Sequence, residues 1–214
     1  MKSFPARGLG PLIPLALLAS IVFATGACKD EISSGSKEDT SVRERKSYVK
    51  HRRKVPPRVV VGNIRWDDPH TMREKIMAVH EIRNLLARMI SMVDRRDWSE
   101  LPSLISKKRG LWVDLKTLKT FPQVLREIKK KNGYLQLFFF HTEKLRAYKN
   151  DPESLAVRDV LRYTDTLRAD YYMEPDAKEC ELKLYLVDYP SFNYKLNNPV
   201  FIKEQGVWKI YRLF

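Results

Sequence analysis

The chain has 214 residues, a formal net charge of +14 and a pI near 9.8. A basic balance of this size raises nucleic acid as a partner, while the length suits one domain once a leader is set apart. No CxxC, P-loop, GxGxxG or histidine pair at metal-ligand spacing is present, so the motifs give no ground for expecting a cofactor or a metal.

The leader is Leu9 to Cys28, LGPLIPLALLASIVFATGAC, which carries no charge, follows Lys2 and Arg7, and closes on Ala24, Thr25, Gly26 and Ala27. That is the layout of a secretory signal with a small-residue cleavage site. The cysteine directly after the small residues makes it resemble a bacterial lipoprotein signal, which implies removal of residues 1–27 and lipidation of Cys28 as the new first residue. Thr25 stands where leucine is commonest in such signals. An uncleaved membrane anchor is one alternative, since about 20 apolar residues span a bilayer, and Pro11 and Pro14 count against it; a plain secretory signal before a free Cys28 is a second, and a buried core helix a third that fails because nothing polar interrupts the run. In either anchored reading Lys2 and Arg7 hold the N-terminus in the cytoplasm and the rest is exported. Export argues against nucleic acid and favours anionic lipid, cell-wall polymer or acidic glycan as partners. Lys29 after the lipidation site, rather than aspartate, implies the outer membrane of a bacterial cell envelope.

Residues 28–58 are expected to form a disordered tether. Lys29 to Arg58 holds ten Lys/Arg against five Asp/Glu, with one aromatic residue, too little apolar surface to offset the entropy of ordering. Residues 59–214 are expected to form the folded domain. Val59–Val61 reads as an edge strand or the start of the fold. Asp68-Pro69 reads as a helix cap and first turn. After it Met72, Ile76, Val79, Ile82, Leu86, Met89 and Val93 recur at gaps of three and four, which places them on one face of a long helix. A short helix over Trp98–Ile105, a strand at Leu111–Leu115 and a helix opened by the Thr120–Gln123 capping box follow. Asn132-Gly133 reads as a left-handed stop.

Beyond it β-formers dominate. Tyr134–His141 reads as a buried strand, Asp151 to Leu161 as a short helical or irregular stretch, and Thr164–Met173 and Lys178–Asp188 as strands. Val200 onward reads as a closing hairpin turning at Gln205-Gly206, with Ser191–Pro199 a flap before it. Helices first and antiparallel strands afterwards argue an α+β fold. The order of elements, with Asp94-Arg-Arg-Asp-Trp98 after the long helix and Gly206-Val-Trp-Lys-Ile210 at the end, resembles the nuclear-transport-factor-2-like fold over about residues 70–214. That resemblance implies a long first helix and shorter helices packed on a curved antiparallel sheet wrapped around a cone-shaped pocket, used in that superfamily for catalysis, small ligands or protein partners.

For acid–base chemistry the candidates are His141, with Asp165 or Asp170 to orient it. Asp165 shares the strand face of Leu167 and Ala169 and Asp170 takes the opposite one, so at most one can face a pocket. Tyr134, Tyr148, Tyr171, Tyr172, Tyr185 and Tyr211 could line such a pocket, but on strands they read first as core or cross-strand residues. Cys180, flanked by Glu179 and Glu181, reads as a small strand residue rather than a nucleophile. The chain therefore reads as a membrane-anchored exported lipoprotein that binds a small ligand or an envelope partner without catalysis. A pocket-based hydrolase or isomerase of the nuclear-transport-factor-2-like kind is the alternative.

Overall fold

A computed structural model of the chain describes residues 55–66, 71–176 and 178–214. The leader, Cys28, the tether through Lys54, His51, His70 and the Asp68-Pro69 pair lie outside the described residues. Among the described residues strand β1, Arg58–Arg65, comes first and the long helix α1, Met72–Arg95, follows it. Its cap is Thr71: the hydroxyl accepts the Glu74 N–H at 3.3 Å while the Glu74 carboxylate accepts the Thr71 N–H at 2.8 Å, a capping box. Arg96 ends it in the left-handed region, φ 58°, its N–H turned back onto the last carbonyls.

After α1 the chain makes a four-residue helix α2 (Leu101–Leu104), two short strands β2 (Leu111–Trp112) and β3 (Leu118–Lys119), and helix α3 (Phe121–Lys129). Gln123 accepts the Thr120 N–H at 2.7 Å, as the capping box requires. The stop at Asn132-Gly133 is not left-handed, since Gly133 has φ −75° and opens the next helix. That helix, α4 (Tyr134–Phe140), replaces the expected strand. Leu135, Phe139 and Phe140 lie at i, i+4 and i+5 and are buried. Phe139 meets the Trp98 ring edge-on at 5.2 Å and Phe140 stacks on it at 5.3 Å. A β-rich composition is overridden here because packing against Trp98 rewards one helical face. Helices α5 (Thr142–Lys149) and α6 (Val157–Leu161) complete the layer.

Strands β4 (Thr166–Met173), β5 (Glu179–Leu186), β6 (Val200–Glu204) and β7 (Val207–Arg212) form an antiparallel meander. The whole sheet runs β1-β4-β5-β6-β7-β2-β3 and is open at both ends. It is mixed rather than antiparallel: β1 lies parallel to β4, and β2 meets β7 in parallel at Trp112 and Arg212. Ser191–Pro199 is not a free flap. A 3-10 turn over Pro190–Lys195 buries Phe192, Leu196 follows it into the core, and Asn193 accepts the Leu186 N–H at 2.7 Å.

The helices cover one face of the sheet. Leu167, Ala169, Tyr171 and Met173 of β4 alternate inward onto Leu182, Leu184, Phe201 and Ile210 of the neighbouring strands, and these join Ile82, Leu86, Met89 and Val93 of α1 in one core. Trp208 and Ile210 face α1 from β7 as the alternation of the last strand requires. Met72 and Ile76 of the expected stripe are the exception and remain largely exposed.

Candidate functional site

The three acid–base candidates sit in different surroundings. His141 lies at the junction of α4 and α5, half-buried, with its ring edge-on to Phe140 at 6.4 Å. Partial burial lowers its pKa below 6.5, and the cations of Lys144, Arg96 and Arg158 push in the same direction. Asp170 points to the sheet face away from the helices, opposite Leu167 and Ala169, so the sheet itself separates it from His141. It is buried there by β1: its carboxylate accepts the Asn63 N–H at 3.0 Å and the Asn63 amide at 3.3 Å, with Arg168 at 3.4 Å. Asp165 stands just before β4, where its backbone N–H donates to Asp188 at 2.7 Å and its carbonyl accepts the Arg58 N–H. The Asp170 carboxylate and the Asp165 backbone are thus engaged at Asn63 and Asp188 rather than at the histidine.

The other residues of chemical interest have packing roles. Cys180 is fully buried in β5, and burial drives its thiol pKa well up, helped by Glu181 and Glu179. Tyr171 is in the core, while Tyr172, Tyr185 and Tyr211 lie on the other side beneath Arg65, Arg168 and Arg109 at 5.2, 4.3 and 4.6 Å. Asp97 closes a turn on Ser99, and Asp94 receives Arg162 at 2.6 Å. Among the described residues no group of three or more His, Cys, Asp or Glu side chains could hold a metal ion.

A different place gathers unpaired charge. Between α2, the loop after it and the β6–β7 hairpin runs an open cleft of about 990 Å³, lined by Lys107, Lys108, Arg109 and Lys209 with one carboxylate, Glu204. Local structure sets this up. Ser106 is buried, and its hydroxyl donates to Glu204 at 2.7 Å and accepts the Arg109 N–H at 2.7 Å. Glu204 is thereby turned toward the loop it anchors. Gly110 closes the loop at φ 77°, where a Cβ would lie 2.3 Å from the Lys119 carbonyl oxygen, so no other residue fits. On the opposite wall Gln205 and Gly206, φ 49° and 81°, make the two-residue hairpin turn that carries Lys209. Arg109 stacks on Tyr211, and Lys209 donates to the Ser103 carbonyl at 3.1 Å, which holds both heads at the rim.

Four cations against one engaged carboxylate leave a field suited to an anion, and the width admits a chain or a headgroup larger than one phosphate. The run Lys107-Lys108-Arg109 before a glycine was visible in the sequence. Its meeting with Lys209, about a hundred residues on, depends on the hairpin folding beside α2. Among the described residues no helix is long and apolar enough to cross a membrane. No family model matches the chain, and no curated protein matches it at significant similarity.

Proposed function

We propose that this chain is an exported lipoprotein, anchored in the bacterial envelope through lipid on Cys28, whose domain binds an anionic ligand in the Lys107–Lys209 cleft. The observation that carries the binding role is the convergence of Lys107, Lys108, Arg109 and Lys209 on one cleft where the one carboxylate among the described lining residues, Glu204, is already engaged by Ser106. The anchor rests on the uncharged run before Cys28 and on the small residues that precede it. Lys29 after the anchor favours the outer membrane. The order of elements from α1 to β7 supports a nuclear-transport-factor-2-like fold, with the core filled by Trp98, Phe139 and Phe140.

An envelope polymer built of phosphodiesters is the ligand class this reading favours, because repeated single charges match a row of cations. The test is titration with dye-labelled poly(glycerol phosphate) at 150 mM salt as an assay condition. The double variant Lys107→Ala, Lys209→Ala should bind about tenfold more weakly, since exposed ion pairs contribute about 0.2–1 kcal/mol each and tenfold is about 1.4 kcal/mol. Lys129→Ala with Lys131→Ala, away from the cleft, should bind as before. Equal loss in both pairs would mean diffuse charge and no site. Fatty-acid labelling that survives Cys28→Ala would separately remove the anchor.

A further inference from the structure

A smaller pocket of about 220 Å³ opens on the sheet face opposite the helices, with Trp112, Leu115, Glu179, Val200, Tyr211 and Arg212 as its walls. Their neighbours Leu111, Cys180 and Ile210 point the other way, into the core. An irregular strand builds it. Phe201 pairs with Ile210 but Val200 pairs with Arg212, so Tyr211 is an extra residue in β7, a bulge. A regular strand would send Tyr211 and Arg212 to opposite faces, whereas the bulge lets both line one pocket. Trp112 stands beside Arg212 in the parallel pairing of β2 with β7, and Glu179 comes from β5 across β6. The Asp114 carboxylate accepts the Lys116 and Thr117 N–H groups at 2.7 and 2.6 Å, a turn that carries Leu115 at the rim. Of the four tryptophans, Trp66, Trp98 and Trp208 are buried and Trp112 is not.

From these walls we infer that the pocket binds one neutral sugar ring, either free or carried as a glycosyl group on an anionic polymer. The other guests meet an obstacle. An apolar one would strip water from the Glu179 carboxylate, which has no hydrogen bond or ion pair among the described residues. An anionic one would face Glu179 as a like charge and would compete for Arg212, whose Nε donates to the Asn198 carbonyl at 2.7 Å and whose Nη2 donates to Glu181 at 2.9 Å. A cationic one would add to Arg212 and to Arg109, whose guanidinium already lies over the Tyr211 ring at 4.6 Å. Hydroxyl groups suit the site because each can donate to Glu179 or accept from Nη1 of Arg212, while the C–H face of the ring lies on Trp112. The volume is below the roughly 300–1,000 Å³ of pockets for drug-sized ligands, which limits the guest to a single ring. The pocket also adjoins the cationic cleft. Arg109 lines the cleft and Tyr211 lines the pocket, so their stack is the wall between the two. A phosphodiester chain in the cleft therefore has room to place a glycosyl substituent on Trp112. That step rests on the reading of the cleft as a polyanion site; the ring site does not.

The experiment uses the full chain isotope-labelled at its tryptophan indole nitrogens, titrated separately with the methyl glycosides of glucose, galactose and N-acetylglucosamine. At least one glycoside should shift the Trp112 signal saturably and leave those of the buried Trp66, Trp98 and Trp208 in place. Glu179→Gln should weaken that binding about tenfold. No shift at Trp112 with any glycoside overturns the ring site. So does a larger shift with leucine or with tetramethylammonium, which would give the pocket to a zwitterion or to a cation. Poly(glycerol phosphate) carrying the active sugar, compared with the unsubstituted chain, then separates the two sources. Binding about tenfold tighter for the substituted chain, with the advantage lost in Trp112→Leu, places the sugar on the polymer; the three core indole signals show that the variant is folded. Equal binding of both chains, together with the glycoside shift, assigns the pocket to a free sugar. A glycoside shift without binding of either polymer sustains the ring site and overturns only the cleft reading, and polymer binding without any glycoside shift does the reverse.

Discussion

The two halves of α1 obey the same periodicity and have opposite fates. From Ala78 to Val93 every position facing the sheet is buried, with Ile82, Leu86, Met89 and Val93 at zero exposure. From Met72 to Met77 the large apolar residues stand in solvent. Spacing determines which side chains share a face, but whether anything covers that face depends on how far the neighbouring layer extends.

The comparison breaks most sharply by truncation. Trp208→Ala removes the largest side chain that β7 presents to the covered half of α1, and a buried Trp or Leu cut to Ala typically costs about 3–5 and 2–5 kcal/mol. Against a total of about 5–15 kcal/mol, Trp208→Ala should shift the urea midpoint drastically or leave no folded protein, and Leu86→Ala should follow closely. Ile76→Ala should stay within about 0.5 kcal/mol of the parent, as surface changes do. A large loss at Ile76 would mean that the exposed half is covered in solution, and parental stability in Trp208→Ala would mean that β7 is peripheral.

The far edge of the sheet gives an intermediate case. β1 is an edge strand held to β4 through a register shift between Val61 and Ile64, and the Asp170 carboxylate fills that irregularity. Gly62 makes room for it, since a Cβ there would lie 2.0 Å from the carboxylate oxygen. Gly62→Ala should displace Asp170 and strip a buried carboxylate of its Asn63 bonds, at about 1–3 kcal/mol. Hydrogen exchange at the Asn63 amide should accelerate with it. Unchanged exchange would show that the carboxylate has another way to be satisfied.

Much of the architecture was legible in local pattern. The closing hairpin, the alternation of β4 and β5, the Thr120–Gln123 box and the core half of α1 all follow from periodicity and turn chemistry, because each is decided within a dozen residues. Tyr134–Phe140 was not legible. Seven residues with three phenylalanines suit a strand or a helix equally, and the choice was made by Trp98, some forty residues away in the chain. The parallel placement of β1 beside β4 and of β2 beside β7 was hidden for the same reason. Of the cleft, the sequence displayed Lys107-Lys108-Arg109 but neither Lys209 nor the buried Ser106 that turns Glu204 aside.

Partial cover has its own signature at His141, between the buried α4 face and the exposed start of α5. Burial comes first in lowering its pKa below 6.5, and Lys144, Arg96 and Arg158 add to it, so the folded chain favours the neutral ring. A folded pKa below the unfolded one means that the unfolded chain binds the proton more readily. Any stability His141 contributes is then complete above about pH 6.5 and is lost as pH falls through the lower folded value. The titration itself is the direct readout. Carbon-detected NMR should place the His141 midpoint below 6.5, and Lys144→Gln should move it up by removing the largest of the three repulsions while leaving burial in place. A midpoint at or above 6.5 in the parent chain would mean that a carboxylate reaches the ring in solution. That result would revive His141 as an acid–base residue, since an oriented, charge-balanced imidazole is what such chemistry requires.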